Sequence, residues 1–267
     1  MDIIRNAFKE SIVGFRPVIG TWLMSGSPST AEALGSSGLD FIVVDMEHTP
    51  IDVSQTIEIL RAVAGTRAEA VTRVPWNDPV MVKRVLDAGA QSLMFPQVQN
   101  ADEAQNAVAA TRYPPHGIRR VAGVHRASRY GAVTDYLARA HESLCVIVQL
   151  ETPAALAELR SIAAVPGVDS LFVGPADLSA ALGHLGNVGH AEVQDRLRGA
   201  AQECAQLGKP CGIVGANPAM VKRYLEYGYS WVAVGSDIGL MTGRVQECLR
   251  ELRHTPHADP PLARTAY

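Results

Sequence analysis

Between Cys145 and Ser179 the chain makes the same move twice: a short apolar run stops abruptly at an acid. The first run, Cys145-Val146-Ile147-Val148-Gln149-Leu150, ends at Glu151, with Thr152-Pro153 behind it. The second, Ser170-Leu171-Phe172-Val173, passes through Gly174-Pro175-Ala176 to Asp177. Residues 154–165 between them have helical character. A strand–helix–strand unit with parallel strands places both strand ends on one face, so Glu151 and Asp177 fall together at the carboxyl rim. Two such carboxylates suit a hard divalent cation, which prefers oxygen ligands. The other reading is that one of them caps the helix that follows it.

The same rhythm runs through the chain. Strands are expected at 17–24, 41–44, 68–74 and 92–95, then from 144, and at 170–173, 211–214 and 229–234. Helices are expected at 29–37, 51–65, 80–88, 101–111, 132–141, 154–165, 191–207, 218–227 and 237–252, with one further turn at 178–181. Residues 1–12 have the spacing of a short amphipathic helix. Phe41-Ile42-Val43-Val44 is apolar at every position rather than alternating, the pattern of a parallel strand buried on both faces. Eight strands, each followed by a helix or long loop, predict an α/β fold of the (β/α)8 TIM-barrel type. A doubly wound open sheet is the alternative, but no GxGxxG follows the first strand. The barrel is expected to be one domain over residues 1–253. Residues 254–267, rich in Pro, His and Ala, are expected to form a mobile tail. Residues 112–131 break the rhythm with five arginines, two prolines and several glycines, and so long an irregular segment is often functional.

A net charge of -3, from 24 basic and 27 acidic residues, offers no field for nucleic acid or an anionic membrane. No apolar stretch approaches the length of a membrane span, and the first residues lack a secretory apolar core, so a cytoplasmic protein is expected. Cys145, Cys204, Cys211 and Cys248 lie far apart without a CxxC and read as packing residues in a reducing compartment.

In a barrel the chemistry belongs at the carboxyl ends of the strands. Polar residues gather there: Asp45 and His48 with Glu47 between them, Arg73, Gln149 and Glu151, Asp177, then Ser236 and Asp237. Asp45 is close enough in sequence to orient the His48 imidazole for general-base work. A helix cap beside a half-exposed histidine is the plainer reading. Arg73, at the end of a buried strand, needs an anion: either a substrate oxygen or a protein carboxylate such as Asp45 or Glu47. The backbone N–H groups of Gly174-Pro175-Ala176-Asp177 can receive a carboxylate.

Taken in order, several segments resemble the class II, metal-dependent pyruvate aldolases. They are Phe41-Ile42-Val43-Val44-Asp45-Met46-Glu47-His48, Arg73-Val74-Pro75, Gly89-Ala90-Gln91-Ser92-Leu93-Met94-Phe95-Pro96, Pro114-Pro115-His116-Gly117-Ile118-Arg119-Arg120, Gln149-Leu150-Glu151-Thr152 and Phe172-Val173-Gly174-Pro175-Ala176-Asp177-Leu178-Ser179. This is the HpcH/HpaI group, which includes 4-hydroxy-2-oxoheptane-1,7-dioate and 2-keto-3-deoxy sugar acid aldolases and is related to citrate lyase β-subunits. The resemblance implies a barrel of the phosphoenolpyruvate/pyruvate superfamily type, usually a homohexamer. It implies that Glu151 and Asp177 hold Mg²⁺, Mn²⁺ or Co²⁺, and that 4-hydroxy-2-oxo acids are cleaved to pyruvate and an aldehyde through a metal-bound enolate. It further implies His48 with Asp45 as base, Arg73 as stabiliser of oxyanion charge and Gln149 beside the metal. Trp22 would line the pocket, Gly174, Pro175 and Ala176 would hold the pyruvyl carboxylate, and Asp87 would reach a neighbouring subunit's site. One departure is Arg120, where the group commonly has glycine. The rival readings are another metal-enolate lyase (a coenzyme A thioester lyase or a decarboxylase), a metal-independent phosphate-binding barrel isomerase, and a non-catalytic scaffold.

Overall fold

Eight parallel strands close on themselves in sequence order, each paired with its neighbours and β1 with β8. They are β1 (Val18–Leu23), β2 (Phe41–Asp45), β3 (Glu69–Arg73), β4 (Ser92–Phe95), β5 (Cys145–Leu150), β6 (Ser170–Val173), β7 (Cys211–Gly215) and β8 (Trp231–Ser236). The structure, a computed structural model, describes residues 5–14 and 16–254. Of the tail expected at 254–267, His254 is the last residue of the final helix and 255–267 lie outside the described residues, as do the first residues of the expected N-terminal helix. The helices are α1 (Ala7–Ser11), α2 (Pro28–Ser36), α3 (Val53–Val63), α4 (Pro79–Asp87), α5 (Ala101–Thr111), α6 (Tyr136–Arg139), α7 (Pro153–Ala157), α8 (Leu159–Ala163), α9 (Pro175–Ala181), α10 (Ala191–Gln206), α11 (Pro218–Tyr227) and α12 (Asp237–His254). Among the described residues no helix is long and apolar enough to cross a membrane.

Side chains alternate along each strand, and the two faces build two cores. Ile42, Val44, Leu93, Val146, Val148, Leu171 and Ile213 face outward and pack with the helices. Val18, Phe41, Val43, Val71, Met94, Ile147, Phe172 and Trp231 face inward. The lower end of the barrel is closed by α1. Its Phe8 ring meets Phe41 and Trp231 edge-on, at centroid distances of 5.4 and 5.3 Å. Gly20 and Gly212 leave the room these rings occupy, since a Cβ at either would collide with Phe41 or Trp231. The Asn6 side chain caps α1 and also donates to the Ser143 carbonyl, which fixes this plug to the barrel.

Four local expectations are corrected. The single helix expected at 154–165 is two, α7 and α8, broken at Glu158. The helix expected at 132–141 forms only from Tyr136, because the preceding residues are held in turns such as Val133 N–H to the Ser128 carbonyl. The last strand lies two residues later than expected, and Tyr229 packs instead under α10 with its hydroxyl on the Leu197 carbonyl at 2.9 Å. The single turn expected at 178–181 begins already at Pro175, a residue pre-set for the first position of a helix. Asp177 therefore stands in a helix's first turn and not on the strand.

Candidate active site

The inward parity of the strands carries through to their carboxyl ends. Below Asp45 lie Val43 and Phe41, below Arg73 lies Val71, and below Gln149 lie Ile147 and Cys145, all facing the barrel interior. Trp22 of β1, Asp45, Arg73, Gln149, Phe172, Gly174, Asp177 and the exposed His48 surround one cavity of about 440 Å³, closed on its far side by Val214, Ser236 and Leu240. That volume lies in the range of small-molecule sites.

Arg73 is the hub. Its Nε and Nη2 donate to the two carboxylate oxygens of Asp45 at 2.9 and 2.8 Å, and its Nη1 lies 2.8 Å from Glu47 Oε2. The guanidinium carbon stands 4.2 Å from the centre of the Trp22 ring, a cation–π contact. Hydrogen bonds engage two of the five guanidinium N–H groups, both on Asp45, while Glu47 is held as an ion pair whose Oε2 accepts no hydrogen bond among the described residues. Both carboxylate partners considered for Arg73 are thus present together. Asp45 differs from expectation: its carboxylate holds Arg73 and accepts the Glu47 and His48 backbone N–H groups at 3.0 and 3.4 Å. It sets the turn that carries His48, while the imidazole Nε2 lies 3.9 Å from Glu47 Oε2. The His48 side chain is 58% exposed at the mouth of the cavity.

Glu151 is 1% exposed. Its oxygens accept from two amides, Gln149 Nε2 and Gln97 Nε2, and among the described residues no basic side chain bonds to it. Burial, then the charges of Asp177 and Glu47, push its carboxyl up to about 8, with Arg73 opposing. Burial likewise raises Glu47 against the pull of Arg73 and His48. A Cβ at Gly174 would stand 2.6 Å from Glu151 Oε1, so glycine is what lets the carboxyl lie in place. Asp177 and Glu47 are near enough to raise the buried Glu151, and the oxygen donors of Glu151 and Asp177 are of the kind that suits a hard divalent cation.

Other expected residues lie elsewhere. Asp87, at the end of α4, accepts from the buried Arg119 at 2.7 Å and lies 3.8 Å from His125 Nε2, so within this chain it belongs to the loop after α5. Asp237 accepts the Met24 and Ser25 N–H groups at 2.9 and 3.1 Å and fastens the end of β1. Gln97 was not singled out from the sequence. Its backbone is left-handed, with φ of 56°, so strand parity gives no sign that its side chain reaches Glu151. Outside the rim, His184, His190 and Glu192 also form a group able to hold a metal ion.

Residues 18–243 match the model of the HpcH/HpaI aldolase/citrate lyase family. The chain belongs to that family. A 2-dehydro-3,6-dideoxy-6-sulfogluconate aldolase of Pseudomonas putida is 49% identical over 93% of this chain and 97% of its own length. A 4-hydroxy-2-oxo-heptane-1,7-dioate aldolase of Salmonella dublin is 48% identical over 89% of this chain and 91% of its own. Among solved structures, an HpcH/HpaI aldolase/citrate lyase family protein from Burkholderia cenocepacia J2315 superposes with a TM-score of 0.90 at 42% identity, covering 93% of this chain and 99% of that one.

Proposed function

We propose that this HpcH/HpaI family member is a divalent-metal-dependent aldolase that reversibly cleaves 4-hydroxy-2-oxo acids into pyruvate and an aldehyde. The observation that carries the reading is that Asp45, His48, Arg73, Gln149 and Asp177 line one cavity, with Glu47 paired to Arg73 and the buried Glu151 raised by the charges of Asp177 and Glu47 behind them. Glu151 and Asp177 would hold Mg²⁺, Mn²⁺ or Co²⁺, all of which accept oxygen ligands, with Gln149 and Gln97 positioning the Glu151 carboxyl. When bound, the cation supplies Lewis-acid stabilisation of negative charge on the substrate's keto oxygen.

The chain's own groups supply the rest. His48 takes the proton from the C4 hydroxyl, and the C3–C4 bond breaks to release the aldehyde. The bonding pair moves into the pyruvate fragment as an enolate, and return of a proton to C3 completes pyruvate. Arg73 points its remaining N–H groups at the oxygen where charge collects, held rigid by Asp45, Glu47 and the Trp22 ring. Asp45 acts on His48 through the turn it fixes. The uncapped first turn of α9 offers the Ala176 and Asp177 backbone N–H groups to the substrate carboxylate, since the Gly174 N–H is held by the Leu150 carbonyl and Pro175 has none.

We read residues 1–253 as one barrel domain acting in the cytoplasm, in line with four free cysteines. A homo-oligomer, a hexamer on the family resemblance, would cover the apolar residues that α12 exposes, among them Met241, Val245 and Leu252. The test is a coupled pyruvate-release assay over a panel of 4-hydroxy-2-oxo acids, with chelator and with each divalent metal. Metal-dependent pyruvate release is expected, and turnover undiminished by chelator would overturn the assignment.

A further inference from the structure

The group formed by His184, His190 and Glu192 is built by a run of turns. The chain leaves α9 with the His184 N–H on the Ser179 carbonyl at 2.7 Å. It turns back with the Asn187 N–H on the His184 carbonyl and the His190 N–H on the Asn187 carbonyl, at 2.8 and 3.0 Å, and enters α10 with His190 as its cap. This path stacks the two imidazoles face to face, at a centroid distance of 3.5 Å and an interplanar angle of 20°. His184 Nε2 stands 2.9 Å from Glu192 Oε2, and His190 Nδ1 receives the Glu192 N–H at 3.3 Å.

We propose that His184, His190 and Glu192 form a second metal site, separate from the rim carboxylates and selective for a borderline transition cation such as Zn²⁺, Ni²⁺ or Cu²⁺. One candidate ligand atom from each residue lies within 4.8 Å of the others. Ligands bound at about 2.0–2.2 Å in a tetrahedral shell stand roughly 3.4 Å apart, so a small side-chain rotation closes the set. The cation takes the place of the hydrogen between His184 and Glu192, and it exchanges the long bond at His190 for a ligand bond if it uses that nitrogen. Two nitrogens and one carboxylate favour zinc, nickel or copper over magnesium, whereas the all-oxygen rim favours the reverse. None of the three residues lines the rim cavity. Bound metal would cross-link the end of α9 to the start of α10, and α9 is the helix whose first turn carries Asp177. The opposing charge is Arg196, one turn along α10 from Glu192.

The test is a Zn²⁺ titration of the full chain against a chromophoric chelator, beginning from metal-stripped protein. To separate this site from the rim, Glu151→Gln/Asp177→Asn is titrated first. One equivalent per chain should survive in that variant, and adding His184→Ala/His190→Ala should remove it. In an otherwise unaltered chain His184→Ala/His190→Ala should lose the same equivalent and keep Mg²⁺-dependent turnover within about twofold. Glu192→Gln, a milder change at an exposed helix end, should weaken Zn²⁺ binding about tenfold with the circular dichroism spectrum unaltered. Cu²⁺ bound to the rim-blocked variant should show nitrogen hyperfine splitting. A rim-blocked chain that binds no zinc, or zinc binding untouched by the histidine substitutions, overturns the proposal. Neither result touches the rim reading, which fails separately if that chain still releases pyruvate with Mg²⁺.

Discussion

Glu151 gives the site a pH signature in the absence of metal. Its carboxyl is raised from 4.5 to about 8, by burial first and then by Asp177 and Glu47. A group that is harder to ionise in the folded chain than in the unfolded one contributes its stability below the unfolded value. That contribution is lost as pH rises through the folded value. At about 1.4 kcal/mol per unit, less the rounding at either end, the metal-stripped chain should lose about 3.5 kcal/mol between roughly pH 5 and pH 8 from this residue alone. Glu151→Gln cannot ionise, so its stability should be flat by comparison over the same window. Absolute stability is the wrong readout, because the new amide also faces the Gln149 and Gln97 donors. The slope is the right one. It is measured by urea unfolding at a series of pH values, at one fixed chain concentration so that assembly does not shift the curves. Saturating Mg²⁺ should flatten the slope in the wild-type chain and leave the variant unchanged, since a cation favours the ionised carboxylate. Equal slopes in the two metal-stripped chains would mean that Glu151 is not the buried, uncompensated acid described here.

Three further outcomes separate the roles of the rim residues. His48→Ala should lower kcat by about 10²–10⁴ while Mn²⁺ affinity, read by calorimetry, stays within about threefold; loss of metal binding would show that the imidazole is a ligand and not the base. Arg73→Lys should lower kcat/KM by at least about 10², because an ammonium cannot hold Asp45 at two points, pair with Glu47 and lie on Trp22 at once; near-normal turnover would make Arg73 a structural ion-pair partner only. Gly174→Ala should weaken Mn²⁺ binding about tenfold or more by pressing on the Glu151 carboxyl, and unchanged affinity would mean that this carboxyl is not held against the glycine.

How much of this was legible in the chain depends on which residues obey strand parity. Once Val43, Val71 and Ile147 are inward, Asp45, Arg73 and Gln149 have to be inward two residues later, and Glu151 follows Gln149 by the same step. The unbroken apolar runs identified the strands, and the polar residues after them identified the rim. Asp177 needed more, since it stands on the first turn of α9 and its direction is set by where Pro175 starts that helix. Gln97 was hidden by a left-handed backbone. The pairing of Asp87 with Arg119 was hidden because the two are 32 residues apart and Arg119 stands in the irregular loop after α5.

The same parity limits how the site can change. A one-residue slip of β5 against its neighbours would turn Gln149 out of the barrel and Val148 into it. It would also move Ile147 out of the inner core that Phe172 and Trp231 complete, so the lower packing resists the slip that would dismantle the upper chemistry. The rings of Phe8, Phe41 and Trp231 at the bottom thus hold the register in which Asp45, Arg73 and Gln149 meet at the top. Variation that preserves the metal and pyruvate chemistry is therefore confined to residues free of that register. The Val214, Ser236 and Leu240 side of the cavity is where a choice of aldehyde can be written without disturbing the barrel.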